Sequence, residues 1–189
     1  MKKRSIAIVA SVVLALALAV TFFVATLTTS ADVTPVTTVT VGTTALNAGN
    51  ATMDGASFDA TTGTLTLTKN VGDIKADNGK LTIVVDEADV TCGAIIMNDA
   101  QLEITGSKKL TVNGNITIGN TITATDTVAA SDLGFAVTGD VSLKVGNDSS
   151  SVALYLNSGN NQANSVSILF DTTGTVELYR AKNAALFAQ

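Results

Sequence analysis

The chain has 189 residues, with 11 Lys and Arg against 16 Asp and Glu, and neither His nor Trp. Lys2, Lys3 and Arg4 open it, so the part beyond residue 31 holds eight basic and sixteen acidic residues, a net charge of −8. That balance excludes a nucleic-acid ligand, which needs a basic face. The missing histidine excludes Ser-His-Asp and Cys-His catalysis and His-ligated zinc.

The first segment, MKKRSIAIVASVVLALALAVTFFVATLTTSA (1–31), has a basic start, an apolar run from Ile6 to Leu27 and a small-residue end. This is the pattern of an export signal. Thr29-Ser30-Ala31 offers the small residues a signal peptidase reads. The apolar run is also long enough to cross a bilayer as a helix. Two fates are therefore open: cleavage near Ala31, or retention as a membrane anchor through residues 6–27. Both leave the basic end in the cytoplasm and export the rest.

From Thr34 onward the text alternates: TVTVG, TLTLT, LTIVV, LEIT, LTV, ITI, VSLKV, VSILF, VELY. Period-two alternation predicts strands. Thr favours strands and Asn, Asp and Gly favour turns, so the expected class is all-β. Long-range spacing then separates the architectures. Ile74, Ile95 and Ile116 fall 21 residues apart, and Leu81 and Ile83 recur as Leu102 and Ile104. Residues 92–104 also align without gaps on 133–145, an offset of 41, which pairs Gly93 with Gly134, Leu102 with Leu143 and Ile104 with Val145. A repeat of about 20–21 residues made of short strands and turns predicts one coil of a parallel β-solenoid.

In that reading Leu81, Ile83, Leu102, Ile104, Leu143 and Val145 stack inward as aliphatic ladders, and Thr82, Glu103 and Lys144 face water. Asn78-Gly79 and Asn113-Gly114 supply positive-φ corners. Residues 32–60 form an N-terminal cap or first strands, and 61–189 the solenoid. The hexads LTVNGN, ITIGNT and ITATDT (110–127) suggest a left-handed hexapeptide helix but persist for only three turns. The alternative all-β architecture is a β-sandwich or jelly roll.

On the run ASFDATTGTLTL (56–67) and the segments IKADNGKLTIVV and IIMNDAQLEITGSKKLTV, the chain resembles a family of secreted surface proteins of Gram-positive bacteria. Phe58, Asp59, Thr62, Thr64, Leu65 and Leu67 match the opening motif of that family's repeats. Ile74, Gly79, Leu81, Thr82 and Ile83 match the first coil, over a similarity that spans about residues 38–145. The pattern departs where the second glycine of a coil is replaced by Asp99. The resemblance implies a right-handed parallel β-helix on the cell surface, in a family whose members are often labelled carbohydrate-binding.

Few residues carry chemistry. Polysaccharide lyases on such a fold use Arg or Lys as base and often Ca²⁺ as electrophile, yet beyond residue 31 there is one arginine, Arg180. Asp86, Glu87 and Asp89 share one turn and do not face each other across a cleft as a glycosidase pair must. The expectation is therefore no enzyme. The same three residues, with Asp99 from the next coil, are candidate oxygen ligands for calcium, and no other cofactor is expected. Sugar contact needs an exposed aromatic, for which Tyr155 and Tyr179, the latter beside Arg180, are the candidates. Tyr155 alternates with Leu154 and Leu156, which leaves open whether it faces solvent or joins a ladder. Rows such as Thr64, Thr66, Thr68 and Thr121, Thr123, Thr125, Thr127 suggest ice-binding faces, but Thr82, Glu103 and Lys144 break the column. Cys92 is the only cysteine, in an apolar run, and is expected to be a buried small hydrophobe.

The function expected is an exported, non-enzymatic cell-surface protein with a structural, adhesive or carbohydrate-contacting role toward cell-wall or host glycans. The alternative is a subunit of an extracellular filament or surface layer that self-associates through the ends of the solenoid, because such ends are open sheet edges.

Overall fold

A computed structural model of the protein describes residues 34–119, 133–147, 152–157, 166–179 and 186–188. The leader at 1–31, Arg180 and Thr121–Thr127 lie outside the described residues. Within them the chain is all-β, with sixteen strands, no helix and mostly parallel pairing in a twelve-stranded and a four-stranded sheet.

Three parallel stacks of strands account for most of the pairing. The first holds the opening half of β6 (Ile74–Val85), the opening half of β8 (Ile95–Gly106), β10 (Ile116–Gly119), β13 (Leu154–Asn157) and β16 (Leu186–Ala188). The second holds β5 (Thr64–Leu67), the closing halves of β6 and β8, β11 (Leu133–Gly139) and β14 (Val166–Thr172). The third is β7 (Val90–Cys92), β9 (Lys109–Val112), β12 (Ser142–Val145) and β15 (Val176–Leu178). Ile74, Ile95, Ile116 and Leu154 stand in register, and so do Leu81 with Leu102 and Ile83 with Ile104. All are at most 1% exposed, and each such side chain contributes roughly 1.5–3 kcal/mol by leaving water.

The 41-residue alignment does not survive. Leu102 pairs with Phe135 and Ile104 with Val137, while Leu143 pairs with Leu110 and Val145 with Val112. Gly134 stands beside Gln101, not Gly93, and Lys144 shares a row with Thr111 rather than Glu103. Between these rows the true step is 33 residues. The two offsets differ by an even number, so both keep the same residues on the inner face, and alternation alone cannot choose between them.

Polar side chains repeat a step of 20 or 21 residues between successive rows. Asn70 Oδ1 accepts from the Thr91 N–H (2.8 Å), Asp73 Oδ1 from the Ala94 N–H (2.9 Å) and Asp89 Oδ1 from the Lys109 N–H (3.0 Å). Asn98 Nδ2 donates to Asp77 Oδ1 (2.7 Å). The first three bonds tie one row to the next by giving a backbone N–H a side-chain acceptor, and the fourth pairs two side chains across adjacent rows. The corner inside β6 is Asn78-Gly79, with φ 57° and 141°, and the equivalent corner of β8 turns on Asp99 at φ 49°. Asp tolerates this left-handed geometry better than most residues. Ala100, not Asp99, stands opposite Gly79. Asp99 therefore takes the place of Asn78, not of a glycine. Asn113-Gly114 is no positive-φ corner. A Cβ on Gly114 would sit 2.9 Å from Ala94 Cα, so close approach of two backbones explains that glycine.

Residues preceding β6 pair differently. β1 (Thr38–Val41) and β2 (Thr44–Asn47) form a hairpin, and β1 runs antiparallel to the start of β6. β4 (Ala56–Asp59) lies antiparallel on β5, and the two-residue β3 (Thr52–Met53) lies on β4. So short an outer strand is a poor template for further pairing.

Across the outer face of the second stack, Lys80 Nζ meets Glu103 Oε2 at 2.7 Å and Thr138 Oγ1 donates to Glu103 Oε1 at 2.9 Å. Partial burial raises the Glu103 pKa, but the hydrogen bonds from Lys80 and Thr138 and the Lys80 charge outweigh it, leaving the carboxyl below its ordinary value. A depressed carboxyl stabilises the fold above its unfolded pKa, and that stabilisation fades as pH falls through the folded value. Because Lys80 is 42% exposed, the contribution is about 0.5–1 kcal/mol. Glu103→Gln should lower stability by that amount at pH 7 and flatten the loss below about pH 4. Paired urea titrations at pH 7 and pH 3 measure this, and an identical deficit at both pH values would contradict it.

Candidate functional site

The third stack carries the feature with most chemical variety. Alternation in β9, β12 and β15 turns Leu110, Val112, Leu143 and Val145 inward and sets Thr111, Lys144 and Glu177 in one outward row. Beyond the strand ends, Gly146 N–H donates to Val112 O (2.9 Å) and Tyr179 N–H to Val145 O (2.8 Å). These bonds bring Asn113, Gly146-Asn147 and Tyr179 from three successive rows to one rim. Gly146 has φ 94°, which turns the chain outward after β12. Asn147 Nδ2 donates to the Asn113 carbonyl, holding that amide in place.

The result is a recess of about 380 Å³ lined by Thr111, Asn113, Lys144, Gly146, Asn147 and Tyr179. Its volume lies within the range of small-ligand sites. The Tyr179 side is 46% exposed, so the wall combines an aromatic ring, two amides, a hydroxyl and an ammonium. No lining group is a nucleophile held against a base. The arrangement can stack on an apolar ring face and exchange hydrogen bonds with hydroxyl and amide groups. No family model, curated protein or solved structure matches the chain.

Other candidates fall elsewhere. Tyr155 lies in β13 between the buried Leu154 and Leu156, half-buried on the outward side and level with Thr117. Its stack is the first, so it does not join Tyr179. Asp86, Glu87 and Asp89 are exposed between β6 and β7, whereas Asp99 stands at the corner within β8. The fold separates these two turns, Asp89 is engaged with Lys109, and among the described residues no three His, Cys, Asp or Glu side chains converge. Cys92 is buried, and burial with the Asp73 charge pushes its thiol up to about 12. A thiol held protonated in this way is a core side chain, not a nucleophile.

Sequence reasoning found Tyr179 but missed Thr111, Asn113, Lys144 and Asn147. The signal that could have found them is the 33-residue step linking Thr111 to Lys144, which the competing 41-residue alignment hid.

Proposed function

We propose that the protein is an exported, non-enzymatic β-solenoid of the cell surface that contacts glycans through the Tyr179 recess. The three in-register stacks support successive coils, each covering the apolar side of the one before. Connections between parallel strands of one sheet are right-handed in about 98% of cases, which supports the right-handed form, and the described part of the 32–60 segment, residues 34–60, then serves as its N-terminal cap. The leader pattern supports export, and the resemblance to secreted Gram-positive surface proteins agrees with it.

The observation that carries glycan contact is an exposed tyrosine ring over a recess walled by amide, hydroxyl and ammonium groups. Sugars present apolar C–H faces and dense hydroxyl edges, and this wall complements both. Aromatic anchors in such sites carry a large share of the binding energy. Tyr179→Ala should therefore weaken glycan binding by about tenfold or more, while Tyr155→Ala leaves it unchanged. Immobilised-glycan binding of the two variants is the measurement, and equal behaviour would remove the recess from the reading.

One observation favours a second reading, self-association. Inward positions that are at most 1% exposed in Phe135, Val137, Leu143, Val145 and Leu154 are partly or largely exposed at their register partners Ile168, Phe170, Val176, Leu178 and Leu186, with Phe170 at 45%. A filament or surface-layer subunit would use such an end. Light scattering after size exclusion should then show mass rising with concentration, and Phe170→Asp should abolish the rise. A constant monomer mass would leave the glycan reading alone.

A further inference from the structure

A second recess, also of about 380 Å³, opens on the outward faces of β3, β4 and β5 and the turn before β5. Its wall differs from that of the Tyr179 recess. Pairing of Thr52 with Ser57, Ser57 with Thr66 and Asp59 with Thr64 lays hydroxyls and one carboxylate side by side across three strands. Neighbouring strands are about 4.8 Å apart and alternate residues about 7 Å apart. The result is a flat grid of polar groups on hydrogen-bonded backbone.

One side of the grid is already ordered. Asp59 Oδ1 accepts from the Thr61 N–H (2.8 Å), Asp59 Oδ2 from the Thr62 hydroxyl (3.0 Å), and the Thr62 and Thr64 hydroxyl oxygens lie 2.9 Å apart. The Asp59 oxygens keep further lone pairs, so this side offers acceptors. On the other side the hydroxyls of Thr52, Ser57 and Thr66 make no hydrogen bond to described residues. Each is free to donate or accept. No lysine or arginine lines the recess, and the nearby Lys69 is taken up by Asp54 at 2.6 Å.

We propose that this recess is a second binding site, selective for neutral saccharides. Its pairing of fixed acceptors with free hydroxyls matches a ligand that both donates and accepts along one edge. An anionic glycan would meet the Asp59 carboxylate with no cation to offset it, on a chain whose part beyond residue 31 carries −8. A divalent cation would find a single carboxylate already hydrogen-bonded through both oxygens. The site is independent of the Tyr179 recess, which lies in the other sheet. A protein holding both could join two glycan strands, with the gain that linked sites bring.

The test uses the full chain carrying Tyr179→Ala, so that the first recess does not contribute. Calorimetric titration with a neutral N-acetylhexosamine tetramer and a neutral glucan oligomer is compared with polygalacturonate, each with and without EDTA. At least one neutral oligomer should bind, EDTA should not matter, and adding S57A/T66V should weaken binding by about ten- to a hundredfold, the loss of two hydrogen bonds. Both hydroxyls lie on the outer face, so the thermal midpoint should hold. Thr52→Val is a second variant expected to weaken binding should S57A/T66V unfold. No neutral binding in the Tyr179→Ala chain, binding only of polygalacturonate, loss with EDTA, or indifference to the hydroxyl variants would each overturn the proposal. None of these outcomes bears on the Tyr179 recess, which stands or falls on the single Tyr179→Ala comparison.

Discussion

Ile95→Ala should cost about 3 kcal/mol, within the 2–5 kcal/mol range for truncating a buried isoleucine, whereas Ile96→Ala should cost less than about 1 kcal/mol. The two side chains are adjacent and chemically identical, so propensity and composition cannot separate them. Ile95 is fully buried between Ile74 and Ile116, while Ile96 is half-buried on the outer face between Lys75 and Thr117. Ile95 thus touches the row before and the row after, and its removal leaves a void with atoms on both sides. Neither neighbour can move in to fill it without leaving its own register. A domain whose total stability is about 5–15 kcal/mol loses a large part of it in this way. Urea unfolding of both variants provides the comparison. Similar midpoints would mean that the inward side of β8 has been assigned to the wrong residues, and every register drawn through it would be in doubt.

Much of this arrangement was legible in the chain because the step of 21 residues is shared by unrelated kinds of contact. Ile74 to Ile95 is an apolar stack, Asn70 to Thr91 a turn hydrogen bond, and Asp77 to Asn98 a side-chain pair. One spacing that satisfies core, backbone and polar groups together is hard to produce without stacked rows. Beyond Gly119 the step lengthens to between 32 and 38 residues. There the only remaining guide was alternation, which is blind to any shift by an even number. The same blindness hid strand direction before β6. TVTV at 38–41 and TLTL at 64–67 read alike, yet the first runs antiparallel to β6 and the second parallel. Direction is set by the hairpin turn at Gly42 and by the path of the connecting segments, which composition does not encode.

The candidate sites were less legible for a related reason. A recess on a sheet surface is made by side chains from rows far apart in sequence, so an error in row assignment disperses it. Tyr179 stood out because an aromatic is rare in this chain, but Lys144 and Asn113 look like ordinary solvated residues until Thr111 and Lys144 are known to be neighbours. The second recess was half visible. Ser57, Asp59, Thr62, Thr64 and Thr66 belong to the run carrying the family resemblance, but Thr52 needed the β3–β4 pairing to be placed.

The glycines give the other large expected effect, and they separate two roles that the sequence shows identically. Gly106→Ala should destabilise by about 3 kcal/mol or more, and Gly119→Ala should be neutral or stabilise by up to about 1 kcal/mol. Gly106 ends β8 at φ 130°, a conformation unfavourable to any residue with a Cβ, and that atom would fall 2.3 Å from Val85 O and 2.7 Å from Val85 C. Val85 O cannot yield easily, since it accepts from the N–H groups of Ser107 (3.1 Å) and Lys108 (3.0 Å). Gly106 O is held in turn by the Asp140 N–H at 3.0 Å. One methyl group would therefore strain the turn that carries the chain from the second stack to the third, in two successive rows at once. Gly119 has nothing within 4 Å of a built Cβ and an unexceptional φ, so alanine there only restricts the unfolded chain. Thermal melts of the two variants should move apart by several degrees or more. If Gly106→Ala melts with the parent protein, the ends of β6 and β8 do not approach each other closely at Val85 and Gly106, and the covering of one row by the next would have to be rebuilt from that turn outward.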